Sequence, residues 1–481
     1  MLIVMASLAR SLVSLLAVAS VAAAGAYNSV IEKDVVIIGG GGSGAHAAFR
    51  LREDFGKSII LIEKEAILGG HVDSYVDSSS GKPYDYGVQS FIDVNGASDF
   101  VTKRLGVKIK TPGRESRLTR YVDFETGKEV NYTGPAPTAL SAALVKYAEL
   151  CALYEDMILP SFRDFPAPDD IPEDLLIPFG DFVKKHGIEA LVPMLFQVTG
   201  LGVGDVTRRT TLVVMQAFGG PMARSFLGQQ TSFAPASERN QDIYDAFAKK
   251  LGKDVLYSTT VVSSKRTKNG VNLIAKTSSG RFVKIKAKRL LLSIEPTKSN
   301  LAPFDIDKKE NKVFSKFDYT RLYTGIVSNP SLPKNYSLTN LPETAAPSNF
   351  LALPDLPLLA RFEWIGTDAT EELFRIMVIG DRNFDSKDAK KLVQTNFDTL
   401  VKSGAVEASD SAKIKFVAYA QHGPMHMHTS VKEMKKGFIQ DLYALQGLRS
   451  TWWTGGAWVA NFQTHLWWFN DLLLPRLVQG L

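Results

Sequence analysis

The chain has 481 residues, of which 45% are apolar and 22% are charged, and its formal net charge is +6. This length exceeds what one ordinary hydrophobic core organises, and the composition is that of a soluble globular protein rather than a disordered or fibrous one. Lysine and arginine are spread among acidic residues, so we predict no nucleic-acid-binding surface.

Residues 1–24 form a predicted secretory signal peptide. Arg10 precedes an uncharged apolar run over residues 11–21, and small residues follow over 22–26. The run is shorter than the roughly 20 residues that a bilayer-spanning helix needs. We therefore expect cleavage near Ala24 or Ala26, secretion of the protein and no membrane attachment afterwards. An uncleaved membrane anchor is the alternative.

Two further features agree with export. The sequences Asn-Tyr-Thr at 131 and Asn-Tyr-Ser at 335 match the N-glycosylation pattern, which makes Asn131 and Asn335 candidate glycosylation sites. Cys151 is the only cysteine, so no intramolecular disulfide can form. Its apolar helical surroundings predict a buried thiol.

A nucleotide-binding pattern begins directly after the leader. Residues 34–38 form a short β-branched run that predicts a buried parallel strand, followed by Gly-Gly-Gly-Gly-Ser-Gly over 39–44 and a predicted helix over 45–52. A second predicted strand, over 58–62, ends at Glu63. This order of strand, glycines, helix, strand and acid predicts a dinucleotide site in a Rossmann-like domain.

Each residue type in this pattern has a physical role. Gly39 makes the tight turn, Gly41 lets the backbone approach a pyrophosphate, and Gly44 permits close packing of helix on strand. The helix N-terminus offers unpaired N–H groups to the phosphates, and a terminal acid can bind the hydroxyls of an unphosphorylated ribose. The predicted contacts in this motif are Gly39, Gly41, Gly42, Ser43, Gly44, Glu63 and Lys64.

Further segments resemble the flavin-containing amine oxidase superfamily. The Gly69-Gly70 pair follows the ribose-binding acid as in that family, although an arginine usually stands where this chain has His71. Residues 84–90 resemble the acid-x-Gly stretch that passes near the flavin ring. Thr-Gly-Gly-Ala over 454–457, with a predicted helix from Phe462, resembles the third FAD segment, in which the usual acid is Ala457 here.

This resemblance implies that FAD is the cofactor. It places a backbone clamp on the adenine at Val261 and aims the N-terminus of the last helix at the flavin C2 carbonyl. Beyond the first motif, the implied contacts are Gly69, Gly70, His71, Gly87, Val88, Gln89, Val261, Gly455, Gly456, Phe462, Gln463 and Thr464. A covalent flavin link at His71 is an open alternative.

The leader, the Asp-Tyr-Gly-Val sequence over 85–88 and the aromatic run over 453–458 together resemble the β-cyclopiazonate dehydrogenase-like flavoproteins. That resemblance implies hydride transfer from a complex small-molecule substrate, a secondary metabolite, to flavin N5, with molecular oxygen or another electron acceptor reoxidising the flavin. Four alternatives stay open: an amine oxidase, a redox-neutral fatty-acid double-bond isomerase, a non-catalytic flavin-binding protein and an NAD-only dehydrogenase.

The expected fold class is α/β, with a Rossmann-like FAD-binding domain of the flavin amine oxidase type and an inserted α+β substrate domain. The expected FAD-binding segments are 33–104, 239–302 and 424–481, and the expected substrate-domain segments are 105–238 and 303–423. Within the inserts, helices are predicted over 139–159 and 188–198, a proline-rich loop over 160–178, and strands over 351–365 and 373–379.

Three of the seven histidines lie in His-Gly-Pro-Met-His-Met-His over 422–428. The spacing suggests zinc or copper, but no carboxylate or cysteine in the segment completes a ligand set, so we predict no metal site. Gly-Pro predicts a loop there, at the domain junction. His422 and His426, together with Tyr86, are the candidate catalytic residues because they can exchange protons with a substrate.

Five of the six tryptophans lie between residues 452 and 468. We expect Trp453 and Trp458 to wall the flavin and a planar substrate, and Trp467 and Trp468 to pack the last helix onto the core.

Overall fold

A computed structural model describes residues 30–113, 118–198, 200–368, 371–460 and 462–481. The predicted signal peptide lies outside these ranges. The strands of the described ranges are β1 (Val30–Ile38), β2 (Ile59–Ile62), β3 (Ser74–Val76), β4 (Pro83–Asp85), β5 (Phe91–Ile92), β6 (Ile109–Lys110), β7 (Leu118–Val122), β8 (Ser232–Pro235), β9 (Val255–Leu256), β10 (Thr259–Thr267), β11 (Gly270–Thr277), β12 (Phe282–Leu292), β13 (Asp318–Ser328), β14 (Tyr336–Asn340), β15 (Leu358–Asp368), β16 (Glu371–Gly380), β17 (Lys415–His428) and β18 (Thr451–Trp453).

The α-helices are α1 (Gly42–Glu53), α2 (Ala97–Asp99), α3 (Pro137–Ala152), α4 (Glu155–Ile158), α5 (Glu173–Leu176), α6 (Phe179–His186), α7 (Val192–Val198), α8 (Thr211–Ala217), α9 (Gly220–Phe226), α10 (Gln241–Leu251), α11 (Lys308–Phe314), α12 (Ser386–Ser403), α13 (Val431–Met434), α14 (Phe438–Tyr443) and α15 (Gln463–Leu477). A π-helical turn over Phe100–Leu105 and several short 3₁₀ turns link them. Among the helices in the described ranges, none combines the length and apolar character required to cross a bilayer.

The first sheet carries the nucleotide motif. Its parallel strands lie in the order β18-β12-β1-β2-β9, and β11 and β10 extend it with antiparallel pairing from the first half of β12. Residues 35–38 of β1 and 59–62 of β2 are buried, as parallel strands covered on both faces require. This is the Rossmann-like arrangement that the motif predicts, and the predicted α/β class is confirmed.

The second sheet has the order β17-β13-β16-β15-β14-β7 and is antiparallel except for the β14–β7 pair. The amphipathic helix α12 covers one face, where Phe397 packs in a core with Phe362. Asp385 begins this helix with a capping box. On the other face, Leu322 and Ile379 belong to the core shared with the first sheet, so this face points toward the nucleotide domain.

The segment between β7 and β8 contains the helices α3 to α9. The helix predicted over 139–159 is α3 followed by the short α4, and the helix predicted over 188–198 ends in α7. Cys151 is buried in α3, as predicted. The stretch over 160–178 makes short helical turns rather than one loop, because its prolines end each turn soon after it begins.

Two strand expectations need correction. Residues 422–428 lie in β17, an edge strand, rather than in a loop. Pro424 is tolerated there because an edge strand needs only one row of ladder hydrogen bonds, and register shifts accommodate the neighbouring residues. The expected domain boundary at 423 therefore falls inside a strand of the second sheet. The strand expected from residue 351 begins only at Leu358, after Pro357.

A buried ion network ties the first sheet to the C-terminal segment. The Arg266 side chain is fully buried, and its guanidinium donates to both carboxylate oxygens of Glu310 at 2.8 and 2.7 Å and to Asp305 at 3.0 Å. The Arg449 guanidinium also pairs with Asp305, just before β18 begins. Because Glu310 is 1% exposed, its charge depends for compensation on Arg266 and, at the longer distance of 3.5 Å, on Arg449.

Replacement of Arg266 tests this network. Arg266→Met removes the bidentate partner of the buried Glu310 carboxylate and leaves only Arg449, at 3.5 Å, as a cation beside it. We therefore expect a loss of about 3 kcal/mol in the free energy of unfolding, the lower end of the range for a broken buried ion pair. Lys286→Met is the matched control, because the Lys286–Glu32 pair is exposed and screened by solvent, so its loss should change the unfolding midpoint little. Thermal unfolding midpoints of both variants measure the difference. Equal midpoints would show that the buried pair contributes no more to stability than the exposed pair does.

Candidate functional site

The carboxyl ends of the parallel strands meet at one edge of the first sheet. The Ser293 N–H, directly after β12, donates to the Ile38 carbonyl at 3.0 Å, and its hydroxyl donates to the Gly39 carbonyl at 2.8 Å. The Thr454 N–H, directly after β18, donates to the Leu292 carbonyl at 2.9 Å. The first glycine motif and the C-terminal Thr-Gly-Gly-Ala segment therefore lie side by side, where α/β sheets bind nucleotides.

The glycines of the first motif have the geometry that their roles require. Gly39 adopts φ +97°, a left-handed conformation that favours glycine. A Cβ atom on Gly44 would overlap the Gly39 carbonyl oxygen, so the helix packs closely on the turn, as predicted.

The second glycine pair packs directly on the first motif. The Gly69 N–H donates to the Gly40 carbonyl at 3.0 Å. Gly70 adopts φ +62°, and a Cβ atom there would lie 2.8 Å from the Cα atom of Gly41. The two loops thus touch backbone to backbone.

Glu63 is held at the end of β2 by backbone donors. The N–H groups of Gly40 and Glu65 donate to its two carboxylate oxygens. Burial raises the pKa of Glu63, and these two hydrogen bonds act in the opposite direction. The Thr259 N–H donates to the Glu63 carbonyl at 2.9 Å, so β10, which carries the buried Val261, begins beside Glu63. The Lys64 side chain is exposed.

The N-termini of α1 and α15 meet at this edge. The Gln463 side chain lies against Gly42 and accepts a hydrogen bond from the Tyr244 hydroxyl. The Trp467 indole donates to the Gly42 carbonyl at 3.1 Å. Neither helix has a side-chain cap or an acidic residue in its first turn, which leaves backbone N–H groups for an anion.

These residues fit a dinucleotide cofactor. Ser43 and Thr464 lie at the N-termini of α1 and α15. Their hydroxyls are buried and have no hydrogen-bond partner among the described residues. Gly455 adopts φ +110°, and a Cβ atom there would have no contact closer than 3.9 Å, so the backbone at Gly455 is open on that side. Phe462 precedes α15 as its N-cap residue. Phosphates and a flavin ring would therefore find backbone donors and small residues.

A cluster of histidine and acid lies beside the glycine pair. The rings of His71 and His422 are stacked, with centroids 4.6 Å apart and an interplanar angle of 14°. His422 Nε2 lies 2.7 Å from Asp73 Oδ2. Burial, with a smaller contribution from His422, lowers the pKa of His71 to about 3, so this imidazole is neutral at pH 7.

The loop over residues 86–89 packs onto the same segment. The Val88 N–H donates to the His71 carbonyl at 3.0 Å, and a Cβ atom on Gly87 would overlap that carbonyl oxygen. Burial, and then Asp73, raises the pKa of Tyr86 to about 12, so the phenol keeps its proton. The Gln89 amide donates to the Gly87 carbonyl at 2.8 Å and therefore supports its own loop.

The other histidines of β17 are held by protein groups. His428 Nδ1 donates to the His426 carbonyl at 2.7 Å, and its Nε2 accepts from Arg209 at 3.1 Å. His426 packs against Gly202, and burial, followed by His428, lowers the pKa of His426 to about 3. Within the described ranges, no group of three His, Cys, Asp or Glu side chains could hold a metal ion.

The tryptophans depart from expectation. Trp453 and Trp458 are fully buried, stack at 5.7 Å and pack against Phe314, so they are part of the core rather than walls of an open cavity. Trp467 packs α15 onto α1, as expected. Trp468 borders a separate cavity of about 300 Å³ that also includes His46.

The structure brings together most of the predicted site and adds Asp73. His71, Tyr86 and His422 share one cluster, and the three glycine segments share one sheet edge. Asp73 was absent from the predicted set because its partner His422 is 349 positions away along the chain. Its position two residues after His71, on the same short loop, was the only available signal.

Comparison with known proteins identifies relatives over the whole chain. The NAD(P)-binding Rossmann-like domain family matches residues 37–103. The chain is 30% identical over 480 residues to beta-cyclopiazonate dehydrogenase of Aspergillus flavus, with 99% of this chain and 100% of that protein covered. It is also 30% identical over 459 residues to the FAD-dependent oxidoreductase pigF of Monascus ruber, with 94% of each covered.

Two solved structures share the fold. The CLA-producing fatty acid isomerase from P. acnes superposes with a TM-score of 0.69 at 18% identity, covering 92% of this chain and 98% of that one. A double mutant of putrescine oxidase superposes with a TM-score of 0.61 at 15% identity, covering 94% and 100%. At these identities the likeness concerns the fold alone.

The backbone contact between the two glycine loops leads to a prediction about cofactor retention. Gly70→Ala places a methyl group against the Gly41 backbone, and a displacement costing about 1.4 kcal/mol would weaken FAD binding about tenfold. Gly187→Ala is the control, because Gly187 has the same φ of +62° but no atom near an added Cβ. Flavin absorbance of the purified variants, titrated with FAD, measures the effect. Equal FAD affinity in both variants would contradict the predicted role of the contact.

Proposed function

The chain belongs to the family of FAD-dependent oxidoreductases that includes beta-cyclopiazonate dehydrogenase, and we propose that it oxidises a complex small-molecule substrate, a secondary metabolite, by hydride transfer to FAD. The observation that carries this proposal is the arrangement of His71, His422 and Asp73 beside the joined glycine loops. Proton-accepting groups thereby lie next to the cofactor-binding edge.

FAD, when bound, supplies the hydride acceptor at N5 and passes the electrons on to molecular oxygen or another acceptor. The chain's own residues bind and orient it. The glycine loops and the N-termini of α1 and α15 would hold its phosphates and flavin ring, and Glu63 would bind its ribose. The second sheet closes the other side, where the Thr324 hydroxyl donates to the Tyr86 carbonyl and holds the 86–89 loop.

Of the three candidate catalytic residues, His422 is best suited to accept the substrate proton. It is paired with an acid and stacked on His71, which directly follows the glycine pair. His426 is packed against Gly202, and its low pKa makes it a weak base. Tyr86 keeps its proton at pH 7 and is therefore a hydrogen-bond donor rather than a base.

We also propose that the protein is secreted and carries N-linked glycans. The predicted leader supports export. Asn131 and Asn335 are both exposed, Asn131 in an extended connection and Asn335 in the turn before β14, so glycans at either position would not disturb the core.

Flavin reduction tests the catalytic proposal. The FAD-loaded protein is mixed anaerobically with β-cyclopiazonate, with putrescine or with a polyunsaturated fatty acid, and bleaching of the flavin bands is recorded. We expect bleaching by β-cyclopiazonate, and a rate about 10² to 10⁴ times lower in His422→Gln, because a positioned base contributes about that much.

His186→Gln is the control, because His186 forms a similar pair with Asp174 near the surface. Bleaching by putrescine would instead identify an amine oxidase, and a shifted double bond without net bleaching would identify an isomerase. If none of the three compounds reduces the flavin and none is converted, the proposed oxidation would be contradicted. Oxygen uptake after admission of air shows whether oxygen is the acceptor.

Glycosidase treatment tests the secretion proposal. When the full chain is expressed in a fungal host, we expect it in the medium with two N-glycans, and N-glycosidase should lower its mass in two steps. Asn131→Gln and Asn335→Gln should each remove one step, and the double variant should match the deglycosylated wild type. Retention of the full chain in the cell pellet without a glycan would refute the proposal.

A further inference from the structure

The contact between Asp73 and His422 joins two distant parts of the chain. Asp73 lies on the short segment after the glycine pair, and His422 lies in β17 at the edge of the second sheet. His422 is 6% exposed, and its Nε2 atom lies 2.7 Å from Asp73 Oδ2. A buried imidazole therefore has a carboxylate at hydrogen-bonding distance on one defined ring nitrogen.

The Asp73 side chain is not needed to shape its own loop. The Tyr86 and Gly87 N–H groups donate to the Asp73 backbone carbonyl, at 2.9 and 3.3 Å. These two hydrogen bonds fix the path of the 86–89 loop, and they would survive a change of the Asp73 side chain because they involve only backbone atoms. The carboxylate is thus available for His422.

A carboxylate on one ring nitrogen selects a histidine tautomer. An ionised carboxylate accepts but does not donate, so it favours the form of His422 with its proton on Nε2. Nδ1 then carries the lone pair and is the basic nitrogen. When Nδ1 takes up a proton, the same carboxylate stabilises the imidazolium ion.

The neighbouring groups do not compete for this role. Asp73 and the stacked His71 contact His422 directly. Lys64 and His426 lie near enough to His71 to lower its pKa, and Asp73 lies near enough to Tyr86 to raise the pKa of that phenol. His71 and His426 are neutral at pH 7 and Tyr86 is protonated, so none of these three side chains offers His422 a carboxylate in place of Asp73.

We propose that Asp73 is a positioning residue that holds His422 with its proton on Nε2, so that Nδ1 is the nitrogen that accepts the substrate proton. This rests on the proposed oxidation. In that reaction the substrate loses a hydride from carbon to FAD and a proton to His422 Nδ1, so it loses two electrons and two hydrogens in all. The proton resides on the imidazolium ion beside Asp73 until solvent or product removes it.

Nitrogen NMR of the FAD-loaded protein tests the assignment without any substrate. Protein labelled with ¹⁵N-histidine gives long-range ¹H–¹⁵N correlations that distinguish the two tautomers, and His422→Gln identifies the His422 signals. We expect a single His422 tautomer with the proton on Nε2. Asp73→Asn keeps an oxygen acceptor and should preserve that tautomer, whereas Asp73→Ala should give Nδ1-protonated His422 or a mixture.

Asp174→Ala is the matched control, because Asp174 lies 3.0 Å from His186 Nε2 in a second His–Asp pair. It should change the His186 signals and leave those of His422 unaltered. Flavin absorbance of each variant verifies that the site is folded and loaded. If Asp73→Ala fails to fold, the tautomer of the wild-type protein still decides, because the proposal requires the His422 proton on Nε2.

A wild-type His422 with its proton on Nδ1 would overturn the proposal, as would His422 signals that are unchanged in Asp73→Ala. Either result would leave the proposed oxidation standing, because no substrate is present in the measurement. Conversely, an unreduced flavin in the substrate experiment would contradict the oxidation whatever tautomer His422 adopts.

Discussion

Contact between two glycine backbones organises the nucleotide site. Gly41, in the turn after β1, and Gly70, in the loop after β2, approach so closely that a side chain on Gly70 would overlap the other backbone. The hydrogen bond from Gly69 to Gly40 holds the two loops together. His71 and Asp73 follow within three residues of Gly70, so this contact also determines where the candidate catalytic cluster begins.

The second sheet completes the cluster from the opposite side. β17 brings His422 onto His71 and Asp73, and β13 holds the 86–89 loop through Thr324. Buried polar groups are costly unless they find partners, and here the partners come from both sheets. The cluster therefore forms where the two sheets pack together, and an edge segment of the second sheet contributes to the site of the first.

The C-terminal segment serves stability as well as cofactor binding. Arg266, Glu310 and Arg449 fix the start of β18, and Trp453 and Trp458 fill the core behind it. The backbone after β18 can then stay open at Gly455, because the neighbouring aromatic residues carry the packing. The large side chains expected around the flavin thus support the site from behind rather than forming its walls.

Local sequence determined the nucleotide half of this protein. The strand, glycine turn, helix and Glu63 lie within about 30 residues of one another, and such short-range patterns allow few backbone conformations. The resemblance of the later glycine segments also identified the cofactor class, and His422 and Tyr86 were recognised as residues able to exchange protons.

Only the tertiary structure decided which of these groups meet. Asp73 and His422 are 349 positions apart, and their contact depends on the register of β17 against β13, which includes shifts that no local pattern encodes. The same register turned an expected loop over 422–428 into an edge strand, where Pro424 is acceptable because one side of the strand needs no ladder bond. Tertiary packing likewise separated the roles of His422 and His426, because the contact between Gly202 and His426 joins segments far apart in sequence.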